Sequence, residues 1–165
     1  MSLKAVAVAV SCAVAFTLAG CTTRYQSAPV EQYSMPRSPV EVSNAQIDKE
    51  PRVLFSDGIT TYMTDYRGWA EIARYKVAGA VALLPVSEAG DKRLSITINQ
   101  IDCGGHYVSD CAVSILVETG SGHREVINSQ RFNGYPLSAA LDKALDDAAG
   151  KIRINAELLD YLVSS

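Results

Sequence analysis

The residues best spaced for chemistry lie in one short run, Cys103-Gly104-Gly105-His106-Tyr107-Val108-Ser109-Asp110-Cys111. Two thiols flank a loop that opens Gly-Gly and carries a histidine. If the cysteines occupy facing ends of two paired strands, their Cα atoms come within about 5 Å, which suits a disulfide. Closing so small a loop stabilises the fold by roughly 2–3 kcal/mol on chain-entropy grounds. The alternative is a metal site. Two soft sulfurs and an imidazole suit zinc or copper, so Cys103, His106 and Cys111 form the alternative ligand set, with Asp102, Asp110 or His123 as further donors. The spacing matches no familiar zinc ribbon, and the disulfide is the expectation, with free thiols a third outcome.

Other catalytic patterns are thinner. Nucleophilic catalysis needs a base beside a Ser or Cys, and the region offers only His106 and His123. The chain has no Gly-x-Ser-x-Gly elbow and no phosphate-binding glycine loop, and Gly120-Ser121-Gly122 reads as a hairpin turn. Asp142, Asp146 and Asp147 read as the wet face of a helix. Asp65 and Glu71 near Trp69 could border a sugar cleft, but a partly buried core tryptophan is the plainer reading. No catalytic set is assigned, no cofactor is called for, and the chain is expected not to be an enzyme.

The other informative cysteine ends the first twenty-one residues. Lys4 supplies a positive segment, Ala5 to Thr17 an apolar run too short for a permanent membrane helix, and Leu18-Ala19-Gly20-Cys21 a small-residue approach to a cysteine. The layout is that of an export signal, and its end resembles the lipobox of bacterial lipoprotein precursors. That resemblance implies cleavage between Gly20 and Cys21, thioether lipidation of Cys21, and acylation of its new amino group. Three acyl chains exceed the two signals that stable anchoring needs. By the sorting rule of enteric lipoproteins, Thr22 rather than Asp after the lipidated cysteine implies the outer membrane, facing the periplasm. Cys12 leaves with the signal and Cys21 takes the lipid. Cys103 and Cys111 then remain as an even pair in an oxidising compartment.

Removing residues 1–20 leaves about 145, enough for one domain with a core. The formal charge of the full chain is −3, and its Lys and Arg are scattered. With no basic footprint for phosphates, nucleic-acid binding is not expected.

The elements that must position these residues follow from patterning. Residues 21–51 form the lipidated N-terminus and a tether, with Pro29, Pro36, Pro39 and Pro51 among several serines. Pulled straight, such a segment reaches on the order of 80 Å. The folded α+β domain is expected over 52–165. Val53-Leu54-Phe55 and Ile59–Met63 flank Asp57-Gly58 as a hairpin. Residues 69–84 fit a helical stripe and a strand alternation equally, and Gly79 with the Val-rich end tips the reading to a strand over about 75–86. Within it, Val81-Ala82-Leu83-Leu84-Pro85-Val86 before a Gly-Asp turn resembles the first strand of envelope lipoproteins of the curli-export and TolB-N-terminal kind. A long helix follows that strand in those proteins. Here Leu94, Ile96 and Ile98 alternate with polar residues as another strand, so only an export-associated role is implied and no functional residue transfers.

Cys111, Val113, Ile115 and Val117 share a face of the next strand, and Arg124–Phe132 is a polar candidate edge. From Ser138 to about Val163 apolar residues recur at helical spacing, with Ser138 as the expected N-cap and Gly150 as the weak point. The expected architecture is an antiparallel sheet of about five or six strands covered by one long C-terminal helix. The functional expectation is a lipid-anchored envelope lipoprotein acting as a non-enzymatic assembly, accessory or interaction subunit, with the membrane and an envelope protein as partners. The alternative is a small periplasmic lipoprotein that binds a lipid, glycan or metal.

Overall fold

The computed structural model describes residues 21–25, 38–56, 59–86, 92–104 and 109–164. The proposed signal peptide, with Gly20, and His106 lie outside them.

Strict apolar alternation builds the centre of the molecule. In β5 (Lys92–Gly104) Leu94, Ile96 and Ile98 are buried, and in β6 (Ser109–Thr119) Cys111, Val113, Ile115 and Val117 are buried. The two strands pair antiparallel, with a bulge between Ile98 and Gln100. The extra residue leaves Asn99 and Gln100 both exposed and returns Ile101 and Cys103 to the inner face. β2 (Val40–Asn44) joins β5 in parallel, and β7 (Arg124–Asn128) and β8 (Phe132–Gly134) join successive parts of β6 antiparallel. The result is a five-stranded sheet in the order β2-β5-β6-β7, with β8 beside β7 on the same strand.

The α+β class is therefore found, and the sheet is mixed because of β2. Val40 and Val42 are core residues, so the packed structure already includes residues ahead of the expected domain start at Arg52. Five residues after a proline carry too little pattern to stand out, and their partner strand lies fifty residues on.

β2 ends at Asn44, which leaves the second half of β5 with an uncovered edge. Two side chains meet its backbone there. The Ile98 N–H donates to Gln46 Oε1 at 3.0 Å, and the Ile101 N–H donates to the Tyr66 hydroxyl at 3.1 Å. Buried backbone donors are thus satisfied without a further strand.

A second sheet, in the order β1-β4-β3, contains β1 (Cys21–Tyr25), β4 (Thr60–Asp65) and β3 (Pro51–Ser56). β3 and β4 form the expected hairpin, with Phe55 stacked on Tyr62 at 4.4 Å and a bulge that turns Leu54 into the core.

The segment read as a strand over 75–86 is helical: α1 spans Tyr66–Val81, and residues 82–86 are turn and extended chain. Its start is set by Asp65, whose carboxylate accepts the Arg67 N–H at 2.8 Å. Trp69, Ile72, Ala73, Val77 and Val81 then form a buried stripe over β2 and β5. Helical spacing of these large residues outweighs the Gly79 penalty, which is about 1 kcal/mol. The likeness to a first strand at Val81–Val86 therefore has no strand behind it.

α2 (Leu137–Ile154) lies over β6 beside α1, with Leu141, Leu145, Ala148 and Ile152 fully buried. It starts after Pro136 rather than at Ser138. The close approach at its start requires a glycine: a Cβ on Gly134 would lie 2.6 Å from the Ala140 nitrogen. The helix runs through Gly150 and stops at Asn155, whose side chain accepts the Glu157 and Leu158 N–H groups and starts α3 (Ala156–Val163). The single long helix expected to Val163 is thus two, since an asparagine side chain competes with the helix backbone and favours a new N-cap. Tyr161 of α3 reaches back to the sheet, its hydroxyl accepting the Arg93 and Gly120 N–H groups, each at 3.2 Å.

Candidate functional site

Cys21 opens β1, and β1 runs parallel to β4 with Cys21 opposite Thr60 and Tyr25 opposite Thr64. The residue proposed to carry lipid is therefore part of the folded structure, joined to it by strand pairing instead of hanging on the tether expected over 21–51. The same end of the small sheet carries Ile59, just before β4, which is 77% exposed. Thr22, Thr23 and Arg24 of β1 are exposed.

Cys103 and Cys111 face each other across β5 and β6 and are disulfide-bonded, with Cα atoms 4.2 Å apart. Both are buried toward the helices. The bond consumes the two thiolates that the metal alternative required. The opposite face of the same strand ends carries a second clip. Arg131 donates from Nη1 to Asp110 at 3.1 Å and from Nη2 to Asp102, bridging β6 and β5. The hairpin end is thus held by a covalent bond inside and an ion pair outside. Arg131 was not legible as a clamp, because only the register brings Asp102 and Asp110 under it.

His123 lies away from the disulfide. Its Nε2 is 2.9 Å from a Glu157 carboxylate oxygen and 3.8 Å from one of Glu125. His123 and Glu125 are two residues apart as the chain enters β7, and Glu157 comes from the first turn of α3. One donor atom from each of the three falls within 4.8 Å of the others. The cluster is partly exposed and ties the β6–β7 turn to α3, as Tyr161 does beside it.

The sugar-cleft candidates are structural. Trp69 is 2% exposed and its indole N–H donates to Thr64 Oγ1 at 2.9 Å. Asp65 is the α1 cap. Burial pushes the Glu71 carboxyl up, but hydrogen bonds from Arg74 and Asn44 outweigh it and leave the group below its ordinary pKa.

The acidic run on α2 is likewise engaged. Lys76 of α1 reaches Asp142 at 2.9 Å and Asp146 at 2.6 Å. Burial disfavours the Lys76 charge, yet its bonds to Asp146 and Asp142 prevail and raise its pKa. Asp147 accepts the Gln130 N–H at 2.8 Å and pairs with Lys151 at 2.9 Å. Partial burial raises the Asp147 carboxyl, and these two partners bring it below the usual carboxylate range.

Between sheet and helices, Ile72, Leu94, Ile96, Ile115, Leu141 and Ile152 are completely buried. Among the described residues no helix is long and apolar enough to cross a membrane.

No family model matches the chain, and no curated protein does. Among solved structures the chain is similar to protein XCC0632 from Xanthomonas campestris, which carries the family label DUF330. Identity is 9%, 86% of this chain and 96% of that one are covered, and the TM-score is 0.42. A second similar structure is an uncharacterised protein at 12% identity, covering 83% of this chain and 96% of its own, with a TM-score of 0.37.

Proposed function

We propose that this chain is a lipid-anchored lipoprotein of the bacterial envelope, held in the outer membrane by acyl chains on Cys21, and that it works by contact with an envelope protein rather than by catalysis. The observation that carries the reading is Leu18-Ala19-Gly20-Cys21 behind a short apolar run.

Support for contact over catalysis comes from how the polar groups are used. Both described thiols of the main sheet are in the disulfide, His123 is engaged by two glutamates, and the aspartates of α2 hold neighbouring elements. The surface we assign to the partner is β7, the terminal strand of the five-stranded sheet, where Val126 is 47% exposed on the face away from the helices. An edge strand offers backbone groups for strand addition. The test is a photo-reactive residue at Val126 in intact cells. A discrete protein adduct, lost when Cys21→Ala releases the protein from the membrane, supports the reading; adducts to lipid alone contradict it.

One observation favours the second reading, ligand binding. The His123, Glu125 and Glu157 donors are of the types that bind divalent metals, at distances a small movement could close on one ion. Calorimetric titration with zinc, compared with His123→Ala, tests it: heat of binding lost in the variant supports a metal, and no heat in either rules it out.

A further inference from the structure

We propose that Ile59, just before β4, rests in the interfacial layer of the same bilayer that holds Cys21, so that the domain sits on the membrane in one orientation. The inference depends on the lipoprotein reading and adds a second membrane contact, made by protein. Its partner is a lipid surface of headgroups and upper acyl chain.

The register carries the inference. Cys21 pairs with Thr60 in a parallel ladder, and Ile59 is the next residue beyond Thr60 in the direction of the chain end. Neighbouring strands lie about 4.8 Å apart and a strand rises about 3.3 Å per residue, so the Ile59 backbone is within roughly 6 Å of that of Cys21. An acylated N-terminal cysteine has its backbone at the headgroup level. Ile59 cannot then be far from the headgroups while β1 remains paired.

The chemistry of this end agrees. Ile59 is 77% exposed, an apolar side chain left in water by the fold. Around it stand Thr22 and Thr23 on β1, Ser56 on β3 and Thr60 and Thr61 on β4, all uncharged and hydroxyl-bearing. These described residues carry no formal charge, and the hydroxyls of exposed Thr22 and Thr23 can hydrogen-bond to headgroups. Other strongly exposed apolar residues, such as Leu83 and Ile154, lie on other elements, and no register ties them to Cys21. The pairing also replaces the long reach expected of residues 21–51: the anchor is one strand spacing from β4.

The experiment uses the full acylated protein reconstituted into phosphatidylethanolamine–phosphatidylglycerol vesicles containing brominated lipid. Ile59→Trp and Ile154→Trp are compared, with buried Trp69 contributing the same background to both. The expected result is a blue-shifted emission for Ile59→Trp, quenched at least about twofold more than for Ile154→Trp. Equal quenching overturns the proposal. Should Ile59→Trp not fold, hydroxyl-radical footprinting of the unaltered protein gives the same answer. Ile59 oxidation should fall several-fold on vesicles relative to detergent while Ile154 is unchanged, and equal oxidation overturns it. The intact mass of each preparation separates the two failures. Acylated protein with an unprotected Ile59 removes the orientation alone, whereas protein without acyl chains removes the lipoprotein reading and this proposal together.

Discussion

Replacing Cys103 and Cys111 together by alanine should lower stability by an amount the structure lets one work out. The bonded residues are eight positions apart. On the chain-entropy relation a loop of that size contributes about 2.5 kcal/mol by restricting the unfolded chain. Both side chains are buried, so the two missing sulfurs also remove contacts with the helices, adding about 1 kcal/mol. Arg131 opposes the loss, since its bridge from Asp110 to Asp102 still closes the hairpin end from outside. An exposed bridge of this kind is worth about 0.5–1 kcal/mol. The expected net loss is about 3 kcal/mol, or a fall in Tm of roughly 10 °C for a domain of this size. Calorimetry of the soluble domain reads it directly. Adding Arg131→Ala to the double variant should cost more than Arg131→Ala costs in the disulfide-bonded protein, because the outer clip then works alone. A Tm change under about 2 °C, or strict additivity with Arg131→Ala, would refute the argument that both clips hold one hairpin end.

Three further outcomes follow from individual contacts. Tyr66→Phe removes the hydroxyl that accepts the buried Ile101 N–H, and should cost about 1–3 kcal/mol in urea unfolding; an unchanged midpoint would mean that the edge of β5 needs no such partner. Lys76→Met leaves Asp142 and Asp146 facing each other across one helical turn and should cost roughly 1 kcal/mol. Because the folded Lys76 pKa is raised, its stabilisation is present below its ordinary pKa and lost as pH rises through the folded value. The difference between wild type and Lys76→Met should therefore be full below about pH 10.5 and shrink progressively as pH rises above it. At the acid end the sign reverses: the lowered pKa values of Asp147 and Glu71 give stability above their ordinary values that is lost as pH falls below about 4. Asp147→Asn should flatten the acid limb of stability against pH, and a limb of unchanged slope contradicts its role.

What was legible in the residues follows the length and regularity of each pattern. The alternation of Leu94, Ile96 and Ile98 and the helical recurrence of Leu141, Leu145 and Ile152 are strong enough to declare β5 and most of α2. α1 reads ambiguously because Gly79 and the valines around it satisfy both periods over a short window, and the deciding Asp65 cap is one residue. β1 and β2 carry five residues each and acquire meaning only through partners far along the chain, Thr60–Thr64 and Lys92–Ile96. The candidate sites divide in the same way. Cys103 and Cys111 stand close in sequence, and their pairing can be argued locally. His123 and Glu125 are visible as alternate residues, but Glu157 is brought to them by the break at Asn155, and Arg131 reaches its aspartates only through strand register.

The account rests on Cys21, and the mass of the N-terminal peptide from membrane-extracted protein tests it most directly. The account predicts a mature chain beginning at Cys21 and carrying added acyl mass on that residue, with Cys21→Ala abolishing both the added mass and membrane retention. A chain that keeps residues 1–20, or one that begins at Cys21 without acyl mass and stays in the membrane, would contradict it.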